Sequence, residues 1–113
     1  MKKNGSRFRV TPGKIARVAR RIATRFHPEK VILFGSWARG DARQDSDVDL
    51  LVVMPLNGSK RATQMEILGA LHDIVVATDI VVVTPQEFAD YADAVGTIVR
   101  PAVREGKVLY ARS

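Results

Sequence analysis

The sequence predicts one small α/β domain of the α+β kind, a mixed sheet of three to four strands flanked by helices. An apolar stripe at helical spacing opens the regular part of the chain at Pro12. Short runs rich in Val, Ile and Leu recur at residues 31–34, 47–54 and 78–83, with Gly, Pro and Ser punctuating the intervals between them. At 113 residues and 46% hydrophobic content the chain accommodates one core and no second substrate-binding lobe. Whatever it acts on is therefore expected to bind partly outside this chain.

The first eleven residues are polar and basic and read as a flexible arm, with the domain proper expected over 12–113. From Pro12, the residues Ile15, Val18, Ala19, Ile22, Ala23 and Phe26 fall on one face of a helix, with Thr11 as cap and Pro12 in the first turn. The opposite face carries Lys14, Arg17, Arg20, Arg21 and Arg25. Pro28 ends this helix, because the residue before a proline is pushed out of the α region. Residues 31–34 read as a buried strand stopped by Gly35, and 36–39 as a short helix before Gly40. A second strand is expected from Asp47 to Met54, then a turn-rich loop over 55–59. Ser59 caps a helix expected over 60–75, burying Met65, Leu68, Leu71 and Val75. After a third strand at 78–83, Thr84-Pro85-Gln86-Glu87 has the capping-box spacing with proline at the first helical position. A further helix is expected over 93–104, burying Val95, Ile98, Val99, Ala102 and Val103, with Pro101 kinking or breaking it. Gly106 suits its stop, and 107–110 reads as an edge strand.

Composition narrows the chemistry. With no cysteine there is neither a disulfide framework nor a thiolate zinc site, and His27 and His72 are isolated, so any metal is expected on oxygen ligands. No apolar run approaches the roughly 18 to 20 residues a membrane span needs, and the first residues lack the apolar stretch of a signal peptide; no membrane partner and a cytoplasmic location are expected. The net charge of +6 is uneven: residues 1–30 hold ten Lys/Arg against Glu29 alone, a front of +9 before a remainder of −3. Nucleic acid, an NTP and an acidic protein surface fit that asymmetry equally, as does a plain solvated face.

Residues 31–53 carry two devices at fixed separation. At Phe34-Gly35-Ser36 a strand turns on a glycine, which allows an anion close to the backbone, and the following N–H groups and the serine hydroxyl face phosphate oxygens. Alone, such a turn is common and more often structural. The second device is Asp47-Val48-Asp49 at the head of an apolar strand, where alternation points both carboxylates the same way. Two such groups repel and lose hydration unless a cation joins them, and Mg²⁺ prefers hard oxygens shared with substrate phosphates. Asp79 interrupts the apolar segment 75–83, where an ionisable group is unexpected unless it is paired or liganded. If its strand neighbours the one after Asp47, all three acids converge. In a two-metal nucleotidyl transfer Asp47 and Asp49 would hold both Mg²⁺ ions, with Asp79 completing the catalytic one and helping deprotonate the attacking hydroxyl.

The stretch Gly35-Ser36-Trp37-Ala38-Arg39-Gly40 followed by Ser46-Asp47-Val48-Asp49-Leu50 resembles the signature of the DNA polymerase β-like nucleotidyltransferase superfamily. With the short length and the element Thr78-Asp79-Ile80-Val81-Val82, the chain is most similar to its minimal nucleotidyltransferase (MNT) antitoxins. The resemblance implies the polymerase β-like fold, ATP as substrate with Mg²⁺, and a hetero-oligomer with a HEPN-domain toxin whose tyrosine receives AMP. On the pattern, Asp47, Asp49 and Asp79 are catalytic and metal-binding, and Gly35, Ser36, Arg39 and Ser46 are nucleotide-binding. Two other readings stay open: an antitoxin acting by binding alone, and an aminoglycoside-type small-molecule nucleotidyltransferase. Trp37 reads as partly buried beside the turn. Arg17, Arg21 and Arg25 line one side of their helix, and direct nucleic-acid binding there is not favoured, since sparse aromatics argue against a single-strand RNA platform.

Overall fold

The computed structural model describes residues 9–112. The first eight residues of the expected arm lie outside them. Val10 is already buried in the core, and its N–H donates to the Gln44 carbonyl (3.3 Å).

Helix α1, Pro12–Phe26, begins as its sequence dictates: the Thr11 hydroxyl accepts from the Lys14 N–H (3.1 Å), and proline occupies the first turn where no N–H is needed. Ile15, Val18, Ala19 and Ile22 are buried, and Phe26 packs half-buried against them. The chain leaves through His27 in the left-handed region (φ 49°), its N–H donating to the Ala23 carbonyl. Then follow β1 (Lys30–Phe34), the single-turn α2 (Ser36–Arg39), β2 (Val48–Val53), α3 (Lys60–Ala70), β3 (Thr78–Val83), α4 (Pro85–Tyr91), α5 (Val99–Glu105) and β4 (Lys107–Ala111). The capping box of α4 is complete, with Thr84 and Glu87 each satisfying the other's backbone N–H.

The four strands lie in the order β3-β2-β1-β4. β1 is antiparallel to both β2 and β4, and β2 is parallel to β3, so the sheet is mixed as expected. Alternation along the strands divides the core in two. Val48, Leu50, Val52, Ile80 and Val82 meet α1 and α3 on one face. Leu51, Val53, Val83, Ile32 and Phe34 face the other side, covered by Val99 and Ala102 of α5 with Phe88 of α4.

Two helices differ from the sequence expectation. α3 stops at Ala70 rather than near 75, and its buried residue is Ile67, while Met65 is 54% exposed and Val75 40% exposed. Of the four residues expected inside, Leu71 is buried and Leu68 packs half-buried on the core, whereas Ile67 within the helix and Ile74 beyond its end are buried in place of Met65 and Val75, as fit against the sheet selects. The helix expected over 93–104 starts only at Val99. Gly96 adopts a positive φ (93°), which breaks the segment upstream, so Val95 is 82% exposed and Ile98 and Val103 are exposed as well. Pro101 therefore sits in the first turn, where its missing N–H sacrifices no intrahelical bond, and it does not kink the helix.

Candidate active site

The first strand of the pair β1–β2 delivers the turn and the second delivers the acids. Phe34 lies opposite Asp49 in the antiparallel register, so the corner after Phe34 sits beside that carboxylate. Gly35 makes the corner at φ 74°, ψ −157°, a conformation essentially reserved for glycine. A Cβ built on Gly35 would collide with Asp49 Oδ2 and stand 3.2 Å from its Cγ. The carboxylate thus fills the space that any other residue's side chain would need. The N–H groups of Ala38 and Arg39 both reach back to the Gly35 carbonyl (3.0 Å each), and those of Ser36 and Trp37, ahead of them in the turn, are not spent on the helix.

Asp49 alternates with Val48 and Leu50, so it points to the α5 face of the sheet, away from α1. Asp79 is its register partner on β3, which places the two acids side by side on the same face. Asp47, two residues before Asp49, completes the group. Asp49 is half-buried, whereas Asp47 and Asp79 are exposed. Burial pushes the Asp49 carboxyl above the usual carboxylate range, and the neighbouring charges of Asp79 and then Asp47 push it further; Arg39 opposes them. Asp79 is exposed, and the strand adjacency named as the condition for convergence, here a parallel register, brings it to Asp49.

The side chains do not close into a cage. Among the described residues, no three His, Cys, Asp or Glu converge tightly enough as they stand to hold one ion between them. Mg²⁺ asks for less than that, since it usually takes one or two carboxylates and completes its shell with water and substrate phosphates. The donors at this corner fit that demand: the charge that lifts Asp49 is uncompensated carboxylate, with Arg39 as the one cation acting against it.

Arg39 reaches toward the acids but is engaged elsewhere, with Nε 3.4 Å from Asp41 and Nη1 3.6 Å from Glu105, so it straps α2 to α5. Ser46 is occupied within its own loop. Its hydroxyl accepts from the Arg43 N–H (2.9 Å), and its carbonyl accepts from Trp37 Nε1 (2.9 Å). That indole bond ties the Gly35-Ser36 turn to the loop entering Asp47, a role the sequence did not announce beyond placing the single tryptophan next to Gly35-Ser36. Nor did anything in the sequence mark Glu105 as a partner of Arg39. Beyond Asp79, a groove of about 390 Å³ follows β3, lined among others by Gln64, Val81, Tyr91 and Ile98.

A family model described as polymerase beta, nucleotidyltransferase matches residues 16–113. The chain belongs to the polymerase beta nucleotidyltransferase family. It is a nucleotidyltransferase, and in its domain Asp47, Asp49 and Asp79 gather beside the Gly35 corner. A candidate protein adenylyltransferase of Methanocaldococcus jannaschii is 60% identical over 25 residues, which is 22% of this chain and 25% of that protein, so the chain matches about a quarter of that relative's length. Among solved structures, a candidate nucleotidyltransferase of Sulfolobus solfataricus superposes with a TM-score of 0.61 at 22% identity, over 88% of this chain and 79% of the other. A toxin–antitoxin crystallised with AMP-PNP gives 0.60 at 20% identity, and a mutant of the MntA–HpeT toxin–antitoxin gives 0.60 at 18%; each covers 92% of this chain and 76% of the other. At these identities the structures share the fold.

Proposed function

We propose that this nucleotidyltransferase is the antitoxin of a toxin–antitoxin pair and transfers AMP from ATP to a tyrosine hydroxyl of its partner, a HEPN-domain toxin. The observation that carries the chemistry is the meeting of Asp47, Asp49 and Asp79 on one sheet face against the Gly35 corner. The resemblance of its motifs to the minimal nucleotidyltransferases supports the partner, as do two relatives of the same fold that are toxin–antitoxins, one holding an ATP analogue. The protein-adenylyltransferase description of the short curated match supports the acceptor class.

Asp47 and Asp49 would hold Mg²⁺, which supplies charge stabilisation to the triphosphate when bound. Gly35 leaves room for the Asp49 carboxylate, and in the turn that follows the Ser36 and Trp37 N–H groups with the Ser36 hydroxyl donate to the oxygens of a phosphate. Asp79, the residue of β3 just before the stretch 80–83 that lines the groove, accepts the proton of the tyrosine hydroxyl. The tyrosine oxygen forms a bond to the α-phosphorus as the bond from that phosphorus to the bridging oxygen breaks, and the electron pair leaves with pyrophosphate. Arg39, released from Asp41 or Glu105, neutralises the departing charge.

Incubation with α-labelled ATP, Mg²⁺ and the product of the adjacent gene is expected to label that product. Asp47→Asn with Asp49→Asn is expected to abolish the label, and label persisting in this double variant would refute the assignment.

A further inference from the structure

The polar face of α1 is used neither by the core nor by the acidic centre. Pro12–Phe26 carries five bases, Lys14, Arg17, Arg20, Arg21 and Arg25, and no acid. Lys14 Nζ turns back to the Val75 carbonyl (3.0 Å). Arg21 is committed, with Nη1 and Nη2 on the two oxygens of Asp73 (2.7 and 3.0 Å) and Nη1 also on the Ala70 carbonyl (2.8 Å). Those bonds hold the Asp73 carboxyl well below the usual carboxylate range, so it stays charged and stays with Arg21. Arg17 only grazes the same carboxylate at 3.9 Å and is 52% exposed. Arg20 and Arg25 make no ion pair among the described residues. Yet Arg17, Arg20, Arg21 and Arg25, with Thr24, line a single depression of about 300 Å³.

Guanidinium groups gathered into one depression, with the nearby carboxylate already committed, repel each other until an anion arrives. The charges are also drawn out along a line: eight residues of helix advance about 12 Å, so Arg17 and Arg25 stand about that far apart along the axis with Arg20 between them. A row of fixed charges suits a chain of phosphates better than one phosphate, and guanidinium matches phosphate oxygens in bidentate fashion. Among the described residues no aromatic lines the depression, so the bases of a single strand would find no stacking platform, while contacts to a duplex backbone require none. The apolar centre around which protein interfaces are built is missing from this lining too. We propose that this face of α1 binds the phosphate backbone of duplex nucleic acid, without sequence preference. Since α1 covers the sheet face opposite Asp49, the bound duplex and the nucleotidyl transfer occupy different sides of the domain.

Fluorescence anisotropy of a short labelled duplex with the full chain tests this. With Arg17, Arg20 and Arg25 each taking one phosphate, log K is expected to fall with log salt at a slope of about −2.7, roughly a 40-fold loss of affinity from about 50 to 200 mM. Arg20→Glu with Arg25→Glu leaves the Arg21–Asp73 pair in place. This variant is expected to bind at least about tenfold more weakly and to flatten the slope by about 2, with unchanged circular dichroism and unchanged ATP binding. A single strand of the same length is expected to bind less tightly than the duplex. The proposal fails if the duplex shows no salt-dependent binding, if the variant binds like the parent, or if the single strand or polyglutamate binds more tightly than the duplex.

Discussion

Replacing Gly35 by alanine loads two separable costs onto one atom. The backbone at φ 74°, ψ −157° lies where a residue with a Cβ is strained by about 1–3 kcal/mol. The new methyl also overlaps Asp49 Oδ2, and with Cγ only 3.2 Å away the carboxylate has to swing out of the corner. A loss of about 2 kcal/mol corresponds to a fall in Tm of about 8 °C for a domain of this size. A displacement of about 1 Å at a reacting centre costs on the order of 100-fold in rate. Urea titration and initial rates of labelled-AMP transfer measure the two effects on the same preparation. The collision is isolated by repeating Gly35→Ala in an Asp49→Gly background: strain persists there but the overlap is gone, so the stability penalty is expected to shrink by about 0.5–1 kcal/mol or more. Gly35→Ala with parental stability and parental activity would refute the close approach of turn and carboxylate. An identical penalty in both backgrounds would assign the whole effect to the backbone.

Further outcomes follow from the same geometry. Burial and the charges of Asp79 and Asp47 raise the Asp49 pKa in the folded state, so between its unfolded and folded values the native protein binds more protons than the unfolded chain, and this group's contribution to stability falls as pH rises. Asp49→Asn is accordingly expected to stabilise the metal-free protein at neutral pH in urea titration while eliminating transfer; a destabilised variant would contradict the repulsion. Trp37→Phe keeps a ring in the half-buried position but removes the 2.9 Å donor to the Ser46 carbonyl, and is expected to cost about 1 kcal/mol of stability with a larger fractional loss of transfer, as the loop into Asp47 loosens. Equal and unchanged activity would deny the indole that positioning role. Gly106→Ala sets a methyl against the Ala102 carbonyl, 2.6 Å from Ile32 Cγ2 and 2.9 Å from the Leu33 carbonyl, and is expected to destabilise by about 2–3 kcal/mol in the same titration. A Tm equal to the parent's would show that α5 and β4 are not packed as described.

The elements whose signals are local were legible in the sequence. Thr11-Pro12, Ser59 and Thr84-Pro85-Gln86-Glu87 cap the helices they were expected to cap, because a cap depends on a few neighbouring residues. The two aspartates were expected on one strand, but β2 begins only at Val48, so Asp49 lies on the strand and Asp47 in the residue that leads into it. Part of the buried face of α3 was not legible, since Met65 and Ile67 are both apolar and only fit against the sheet decides which is buried. Nor was the break at Gly96, where a positive φ undid the apolar periodicity of 95–103. Strand order belongs with these: the parallel pairing of β2 with β3 is a tertiary fact, and it alone brings Asp79 beside Asp49. Asp79 stands out in the sequence for its apolar neighbours, yet it is exposed, and what sets it beside Asp49 is the strand adjacency on which the convergence of the acids was made conditional. The ties of Trp37 to Ser46 and of Arg39 to Glu105 span loops and elements and leave no local trace.

The proposed transfer requires acids that act with a divalent cation to hold a nucleotide at the Gly35 corner. Isothermal titration of a non-hydrolysable ATP analogue into the full chain, with Mg²⁺ and then with a chelator, measures this directly. Binding that requires Mg²⁺ and vanishes in the variant carrying Asp47→Asn and Asp49→Asn is the predicted result. Equal affinity in the chelator, or undiminished Mg²⁺-dependent affinity in that variant, would contradict it.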